Sequence, residues 1–237
     1  MITPAELQEN IDHVQDRISA AAAKSGRSAK DITLVAVGKT HPAEFLIPAI
    51  ELGLDNFGEN RIQESEEKIP KLSEYNVRWH MIGHLQRNKA AEAIELFDEF
   101  HAIDSKRLAR RLQKQLEKAD RERFDTFVQV NVSGEKSKYG LDPENLGPLL
   151  ETVSENCPRL FVKGLMTIAP WTEDEEVLRK TFQNLRVLLE QSQSYNSANI
   201  RMESLSMGMT NDYEIAVEEG STHLRIGRAL FGERRER

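Results

Sequence analysis

Residues 32–40, ITLVAVGKT, form a β-branched and apolar run that ends directly in Gly38 and Lys39. The run predicts a strand, and a lysine at its end needs an explanation because an unpaired buried ammonium is costly. The ending G-K-T suggests a phosphate-binding P-loop, but that motif also requires a glycine five residues before Gly38. Thr33 stands at that position. The P-loop is therefore excluded, and Lys39 needs another role.

This run is the first of eight short apolar or β-branched segments. We predict strands at 32–38, 55–59, 77–83, 99–104, 125–132, 160–168, 201–207 and 223–227. Amphipathic stretches with helical spacing separate them, as at 178–189. Strands that alternate with helices of this size indicate βαβ units of an α/β protein, and eight repeats favour a single closed (β/α)8 TIM barrel.

The rest of the chain fits one barrel domain over residues 1–237. One extra helix precedes the first strand, and Thr3, Pro4 and Glu6 predict its start as a capping box with proline in the first turn. No Pro/Gly/Ser-rich linker interrupts the alternation. A chain of 237 residues is a usual length for an α/β barrel.

Composition excludes several classes of protein. The net charge of −7 argues against a polyanionic partner, so nucleic acid is not an expected ligand. Cys157 is the only cysteine, which excludes disulfides and cysteine-based zinc sites. No apolar run approaches the length of a membrane span, and the start MITPAELQEN lacks the pattern of a signal peptide. We expect a cytoplasmic location.

Chemistry in such a barrel gathers where the strands end, at the C-terminal face. Lys39 ends the first strand, and Asn60 follows the second. A lysine partly withdrawn from water there has a lowered pKa and a nucleophilic amine, suited to a Schiff base with an aldehyde. The alternative is a lysine that extends from a strand end into solvent.

The stretch SMGMTNDYE at 206–214 predicts a phosphate site after the seventh strand. Gly208 permits an unusual turn, Ser206 and Thr210 offer hydroxyl groups, and Asn211 with Glu214 is expected to cap the next helix. Free amides at a helix N-terminus favour a phosphate monoester. The alternative is an ordinary capped loop without a ligand.

Arg225 lies inside the apolar eighth strand, where an unpaired guanidinium is costly. It either forms an internal ion pair with a carboxylate of a neighbouring strand or points at a ligand in the barrel. Gly227 lets a second loop amide approach a phosphate, and the ends of strands 7 and 8 are the usual phosphate site of a barrel. That coincidence favours the ligand.

Other candidates are weaker. His80 and His84 would share a strand face, but the zinc motif H-E-x-x-H needs glutamate where this chain has Met81, so no metal site is predicted. The basic stretch at 105–123 is predicted to be an amphipathic barrel helix with a solvated face, and Lys138 is predicted to be an exposed loop lysine. The stronger candidates combine an aldehyde-binding lysine with a phosphate cradle, and the cofactor with an aldehyde and a phosphate on one pyridine ring is pyridoxal 5′-phosphate.

At these residues the chain resembles the pyridoxal phosphate homeostasis protein family, the YggS and proline-synthetase-co-transcribed type. The matching stretches span nearly the whole chain: LVAVGKT, FGENRIQE, WHMIGHLQRNK, VNVSGEKSKYG, GLMTIAP and LSMGMTNDYEIAVEEGSTHLRIGRALFG. The resemblance implies a barrel like the N-terminal domain of alanine racemase, with the cofactor bound as an internal aldimine on Lys39.

The resemblance also implies the cofactor's other contacts. Ser206, Thr210 and the backbone of Gly208, Met209 and Gly227 would hold the phosphate. Arg225 would face the pyridine nitrogen, and Asn60 and Met166 would line the ring's pocket. The implied role is a cofactor carrier or buffer without an assigned activity, which indirectly affects amino- and keto-acid metabolism. We expect a monomer whose partners are pyridoxal phosphate and the apoenzymes that use it.

A minor amino-acid racemase remains the alternative. Arginine is only a donor, so the ring nitrogen it contacts stays unprotonated and the ring is a poor electron sink. Racemases of this architecture use a second domain that supplies a tyrosine across a dimer interface, and we expect none here, since Arg237 follows the last strand closely. This favours the carrier.

Overall fold

The eight predicted strands form one closed parallel barrel in which neighbours in sequence are neighbours in space and β8 pairs with β1. The structure is a computed structural model that describes residues 2–134 and 139–232. The strands are β1 Thr33–Val37, β2 Asn56–Glu59, β3 Arg78–Met81, β4 Glu99–Ile103, β5 Phe124–Gln129, β6 Leu160–Met166, β7 Ile200–Ser206 and β8 His223–Ile226. The predicted fold class is confirmed, and no strand limit differs from its prediction by more than three residues.

Helices follow the strands around the barrel and one helix precedes them. They are α1 Pro4–Lys24, α2 Ala43–Glu51, α3 Ile62–Lys68, α4 Ala90–Leu96, α5 Lys106–Lys118, α6 Leu146–Asn156, α7 Glu175–Gln191, α8 Tyr213–Glu218 and α9 Arg228–Phe231. The predicted capping box of α1 is present, because the Glu6 amide donates to Thr3 Oγ1 at 3.2 Å and the Thr3 amide to Glu6 Oε2 at 2.7 Å. No described helix is both long enough and apolar enough to cross a membrane.

The apolar core lies mainly between the strands and the surrounding helices. Phe57, Phe100 and Phe124 are fully buried in it, together with leucines of the helices such as Leu112 and Leu185. Burial of these aliphatic and aromatic side chains is the main favourable contribution to folding. The barrel interior is different, because its inward positions carry many polar side chains.

Glu99 anchors the interior at the N-terminal end of the strands. Its carboxylate is 1% exposed and accepts hydrogen bonds from Lys163 Nζ at 3.1 and 3.2 Å and from Arg78 Nη2 at 2.9 Å. A buried carboxylate needs such partners because its desolvation is otherwise uncompensated. The acidic charge inside the barrel is therefore neutralised close to the end opposite Lys39.

Three histidines fill the middle of the interior. His80, His101 and His223 are each at least nine-tenths buried. Burial lowers the pKa of His80 and of His223 to about 3, and it holds the pKa of His101 well below its ordinary value. Nearby cations, Arg78 and Lys163 among them, act in the same direction. The imidazoles are neutral at neutral pH.

We predict that acid destabilises the fold through these histidines. A folded pKa of about 3 lies below the ordinary 6.5, so between these values the unfolded chain takes up protons that the folded chain does not. Stability is therefore complete above pH 6.5 and falls as the pH drops toward 3. At about pH 5.5 the loss is about 1.4 kcal/mol per histidine.

Urea unfolding at about pH 7.5 and about pH 5.5 measures this loss. His223→Gln removes one such group and should reduce the acid-induced loss by about 1.4 kcal/mol. His13→Gln, at an exposed position of α1, is the matched control and should leave the loss unchanged. Equal losses in the two variants would contradict the assignment to the buried imidazoles.

Candidate functional site

The alternation of side chains along the strands determines which residues lie at the mouth of the barrel. Val35 and Val37 of β1 share one face, so Lys39 continues that face two residues further on. Val35 pairs in register with Arg225 of β8, and the same step leads from Arg225 to Gly227. These positions meet in one cavity at the C-terminal ends of the strands. The cavity is lined by Val37, Lys39, His41, Asn60, Ile82, Ile168, Met209, Thr210, Arg225, Gly227, Arg228 and Gly232.

Helix α3 holds the loop that carries Lys39. Lys68 Nζ donates to the carbonyl oxygen of Gly38 at 2.8 Å, and Glu64 Oε2 accepts from the Thr40 amide at 3.1 Å. Thr40 has φ of +71°, a left-handed conformation that costs energy for a β-branched residue. The two contacts on either side of Lys39 fix its backbone in this conformation.

A buried ion pair lies directly behind this loop. Glu59 and Lys68 are both buried, and Glu59 Oε1 accepts a short hydrogen bond from Lys68 Nζ. Burial raises the pKa of Glu59, and the charge of Lys68 opposes this rise. Glu59 Oε2 has no hydrogen-bond partner in the part of the chain that the structure describes. The charge of Lys39 also lowers the pKa of Glu59, so the carboxylate acts on both lysines behind the mouth.

Arg225 is the most deeply buried cation of the cavity. Its side chain donates from Nη1 to Ser206 Oγ at 2.6 Å and from Nη2 to the Thr167 carbonyl oxygen at 2.8 Å. Burial lowers its pKa to about 10, so it stays charged at neutral pH. Among the described residues no carboxylate forms an ion pair with it. The hypothesis that Arg225 forms an internal ion pair is therefore wrong.

A chain of hydrogen bonds runs from Arg225 through the barrel interior. Ser206 Oγ lies 2.8 Å from His101 Nδ1, His101 Nε2 lies 3.0 Å from His80 Nδ1, and His80 Nε2 lies 2.9 Å from Asn56 Oδ1. Arginine is only a donor, so Ser206 accepts from Arg225 and donates onward. Each neutral imidazole then accepts at Nδ1 and donates from Nε2 until Asn56 Oδ1 accepts. One direction of donation satisfies every member.

Two loops meet at the other wall of the cavity. The Ala229 amide, in the first turn of α9, lies 3.4 Å from Thr210 Oγ1, which joins the loop after β8 to the loop after β7. Gly208 has φ of +96°, and a Cβ there would lie 2.6 Å from the Ala216 methyl group, so the turn needs glycine. Arg228 extends from the start of α9 into the lining. Hydroxyl, amide and guanidinium donors converge at this wall.

Most of the predicted site residues line the cavity. They are Lys39, Asn60, Met209, Thr210, Arg225 and Gly227. Three others lie outside the lining: Ser206 is fully buried and binds Arg225 and His101, Gly208 shapes the turn, and Met166 is fully buried at the end of β6. Lys138 lies outside the described residues.

Sequence reasoning missed several lining residues. Val37 and Ile82 continue inward faces of strands, so the period of two could have identified them. His41 lies in the loop after β1 and Arg228 is the first residue of α9, and neither had such a signal. Asn211 does not cap α8 as predicted, because its Oδ1 accepts from Arg228 Nη2 at 3.2 Å and the N-cap residue is Asp212.

The two histidines of HMIGH are also separated. His80 is inside the barrel, whereas β3 ends at Met81 and His84 is exposed beside Asp104, 3.2 Å from its carboxylate. The predicted shared strand face is therefore wrong. His80, Glu99 and His101 do approach within metal-binding range of one another. Both ring nitrogens of His80 and of His101 belong to the hydrogen-bond chain, and the Glu99 carboxylate accepts from Lys163 and Arg78. These three side chains are therefore used in hydrogen bonds within the barrel.

Comparisons with known proteins agree on the architecture. The family described as the alanine racemase N-terminal domain matches residues 2–235. The pyridoxal phosphate homeostasis protein of Aquifex aeolicus (strain VF5) is 40% identical over 227 residues, which cover 96% of this chain and 98% of that protein. The structure of PipY from Synechococcus elongatus PCC7942 with PLP bound has a TM-score of 0.80 and 34% identity, over 91% of this chain and 100% of PipY.

A more distant structure shares the fold alone. Alanine racemase from Corynebacterium glutamicum is 15% identical with a TM-score of 0.68, and the match covers 96% of this chain and 62% of the racemase. The barrel is thus the part that the two have in common.

We predict that Lys68 stabilises the mouth mainly as the counter-ion of Glu59, with a smaller contribution from its hydrogen bond to Gly38. Lys68→Met leaves a buried carboxylate without its counter-ion and should cost about 3–5 kcal/mol of unfolding free energy. The double variant Glu59→Met/Lys68→Met removes both charges and should recover most of that loss. Urea unfolding of the two single variants and the double variant gives the coupling. A double variant no more stable than Lys68→Met would refute the assignment.

Proposed function

This chain belongs to the alanine racemase N-terminal domain family and, within it, to the pyridoxal phosphate homeostasis proteins, and we propose that it binds pyridoxal 5′-phosphate in the cavity at the barrel mouth. It holds the cofactor through Lys39 and serves as a carrier or buffer rather than as an enzyme. The homeostasis protein of Aquifex aeolicus and the PLP-bound PipY structure support the identity of the ligand.

The observation that carries the proposal is the meeting of Lys39 and Arg225 in one cavity. Arg225 is 4% exposed, charged, and bonded only to neutral oxygen atoms among the described residues. A guanidinium offers five N–H donors, and its two hydrogen bonds leave donors for an acceptor in the cavity. The pyridine nitrogen of the cofactor is such an acceptor. Because Arg225 has only donors and cannot accept a hydrogen bond from a protonated ring nitrogen, that nitrogen would stay unprotonated.

Lys39 supplies the covalent attachment. Its amine would add to the aldehyde carbon of the cofactor, and loss of water would form an imine between them. Attack requires the neutral amine. Helix α3 keeps the backbone at Lys39 in one conformation, so the amine is held at the mouth.

The phosphate would bind at the wall formed by the two loops. Thr210 Oγ1 and the backbone of Gly227 would supply donors there, and Arg228 adds a positive charge. The predicted Met209 amide is not among these donors, because it donates to Asp212 Oδ1 at 2.5 Å, and the Ala229 amide donates to Thr210 Oγ1. We reassign two predicted contacts: Ser206 orients Arg225, and Gly208 shapes the loop. Asn60 would line the ring's pocket, with Ile168 in place of Met166.

The chemistry favours a carrier over a racemase. An unprotonated pyridine ring is a poor electron sink, so the arrangement gives little help to a carbanion. A two-base racemase also needs a base on the opposite face of the ring, and the described residues that line the cavity include no tyrosine. We propose that the protein acts as a cytoplasmic monomer and that its partners are apoenzymes that use this cofactor.

We predict that Lys39→Ala abolishes the visible absorbance that the protein gains with pyridoxal phosphate, since no imine can form at residue 39. The fold should be unchanged because the side chain is only half-buried at the mouth. Lys30→Ala, beside the N-terminal end of β1, is the matched control and should keep the absorbance. Borohydride reduction and peptide mapping give the direct readout. A pyridoxyl adduct chiefly on Lys138, with Lys39 unmodified, would contradict the proposal that Lys39 forms the imine.

We predict that the holo protein restores activity to an apo-aminotransferase in excess, because the imine at an open mouth is accessible and reversible. Under the same conditions it should not interconvert L- and D-alanine above a blank that contains cofactor alone. Chiral chromatography after long incubation follows the second reaction. Alanine turnover that depends on Lys39, without cofactor transfer, would reverse the choice and make this a small racemase.

A further inference from the structure

A second groove opens at the barrel mouth beside the cofactor cavity. It lies between the segment after β3 and the start of α5, and four arginines line it: Arg87, Arg107, Arg110 and Arg111. We call it the arginine groove. Arg111 Nε donates to the Arg87 carbonyl oxygen at 3.3 Å, which holds the two sides together.

The arginine groove has an excess of positive charge, because Asp104 is the one carboxylate beside the four arginines among the described residues that line it. None of its four guanidinium groups forms an ion pair with a carboxylate among residues 2–134 and 139–232. Arg107, Arg110 and Arg111 lie in the first two turns of α5, where the helix dipole is positive, and the first turn of α5 has no acidic residue. Like charges three and four residues apart on a helix also repel one another. The groove is therefore a cationic surface on a chain whose net charge is −7.

The groove and the cavity share one loop. Ile82 lines the cavity, and His84, two residues further on, lines the groove. Gly83 between them packs on the backbone of Asn60, because a Cβ at that glycine would lie 2.3 Å from the Asn60 carbonyl oxygen. The two openings are therefore neighbours on the same end of the barrel.

Exposed aromatic side chains flank the two openings. Tyr139 is 65% exposed and stacks on His84 with 4.7 Å between ring centroids. Trp171 is 79% exposed, and Arg228 of the cavity lies 5.4 Å from its ring. Exposed tyrosine, tryptophan and arginine are the residues that most often dominate the energetics of protein–protein interfaces.

We propose that the arginine groove, with Tyr139 and Trp171, is a docking surface for a partner protein that presents a cluster of carboxylates beside its own vacant cofactor site. The cationic groove attracts the carboxylates, and the aromatic side chains supply contact area next to the cavity. A nucleic acid fits less well, because its continuous phosphate charge is repelled by the rest of an acidic protein, whereas an acidic patch is local. The proposal rests on the carrier function.

Transfer kinetics with the full-length holo protein test this proposal. Recipients are the apo forms of several PLP enzymes with acidic isoelectric points, apo-aspartate aminotransferase first. A phosphatase that destroys free pyridoxal phosphate is present, so only transfer within a complex restores activity. Wild type should restore activity at low salt and lose most of that rate at high salt, because the attraction is screened.

The groove variant is Arg107→Glu/Arg111→Glu, and the matched control is Lys30→Glu/Arg201→Glu, which reverses two exposed charges near the N-terminal ends of the strands. We expect the groove variant to lose the transfer rate by about tenfold and to lose its salt dependence. The control should stay within about twofold of wild type. Both should bind the cofactor with an unchanged visible spectrum.

Other outcomes would contradict either the docking surface or the carrier function. Equal transfer by wild type and the groove variant, or no transfer in the presence of the phosphatase to any recipient, overturns the docking surface. Binding of a mixed-sequence single-stranded RNA that the groove variant loses, with transfer unchanged, assigns the groove to nucleic acid instead. A wild-type protein without a visible band would overturn the carrier function itself, which keeps the two failures distinct.

Discussion

The charge of Arg225 is the constraint on which the mouth and interior of the barrel depend. Its guanidinium is buried, and its hydrogen bonds among the described residues go to neutral oxygen atoms. Dipoles must therefore balance a charge that a carboxylate would otherwise neutralise. Arg225 donates to the Ser206 hydroxyl oxygen. Ser206 in turn donates to His101, because Asn56 Oδ1 accepts from His80 and each neutral imidazole then accepts at Nδ1.

The interior separates its charges along the barrel axis. Glu99 is compensated by Lys163 and Arg78 near the N-terminal ends of the strands. Glu59, near the mouth, is held by Lys68. Neither carboxylate forms an ion pair with Arg225. The mouth consequently keeps positive charge at the end where the two loops offer amide and hydroxyl donors. An anionic ligand with an acceptor nitrogen matches this distribution.

The sequence was sufficient for the fold and for part of the site, for physical reasons. Period-two alternation places Val37, Lys39 and Arg225 on inward faces, so strand limits and mouth residues follow from the pattern. The partners of Ser206 could not be predicted in the same way. His101 lies 105 residues away in the chain, and only closure of the barrel brings it to Ser206. The sequence likewise gives no sign that Lys68, in a short charged helix, is buried and donates to the Gly38 carbonyl oxygen.

The same geometry argues for storage of the cofactor rather than catalysis. An enzyme that stabilises a carbanion benefits from a protonated ring nitrogen, which a carboxylate partner provides. Here the residue facing that position would be an arginine whose pKa remains about 10 even after burial. Moving a proton to the ring would place two positive charges side by side in a poorly solvated site. A cofactor attached at Lys39, as proposed, would thus be held without being activated, and an attached but unactivated cofactor is what a carrier requires.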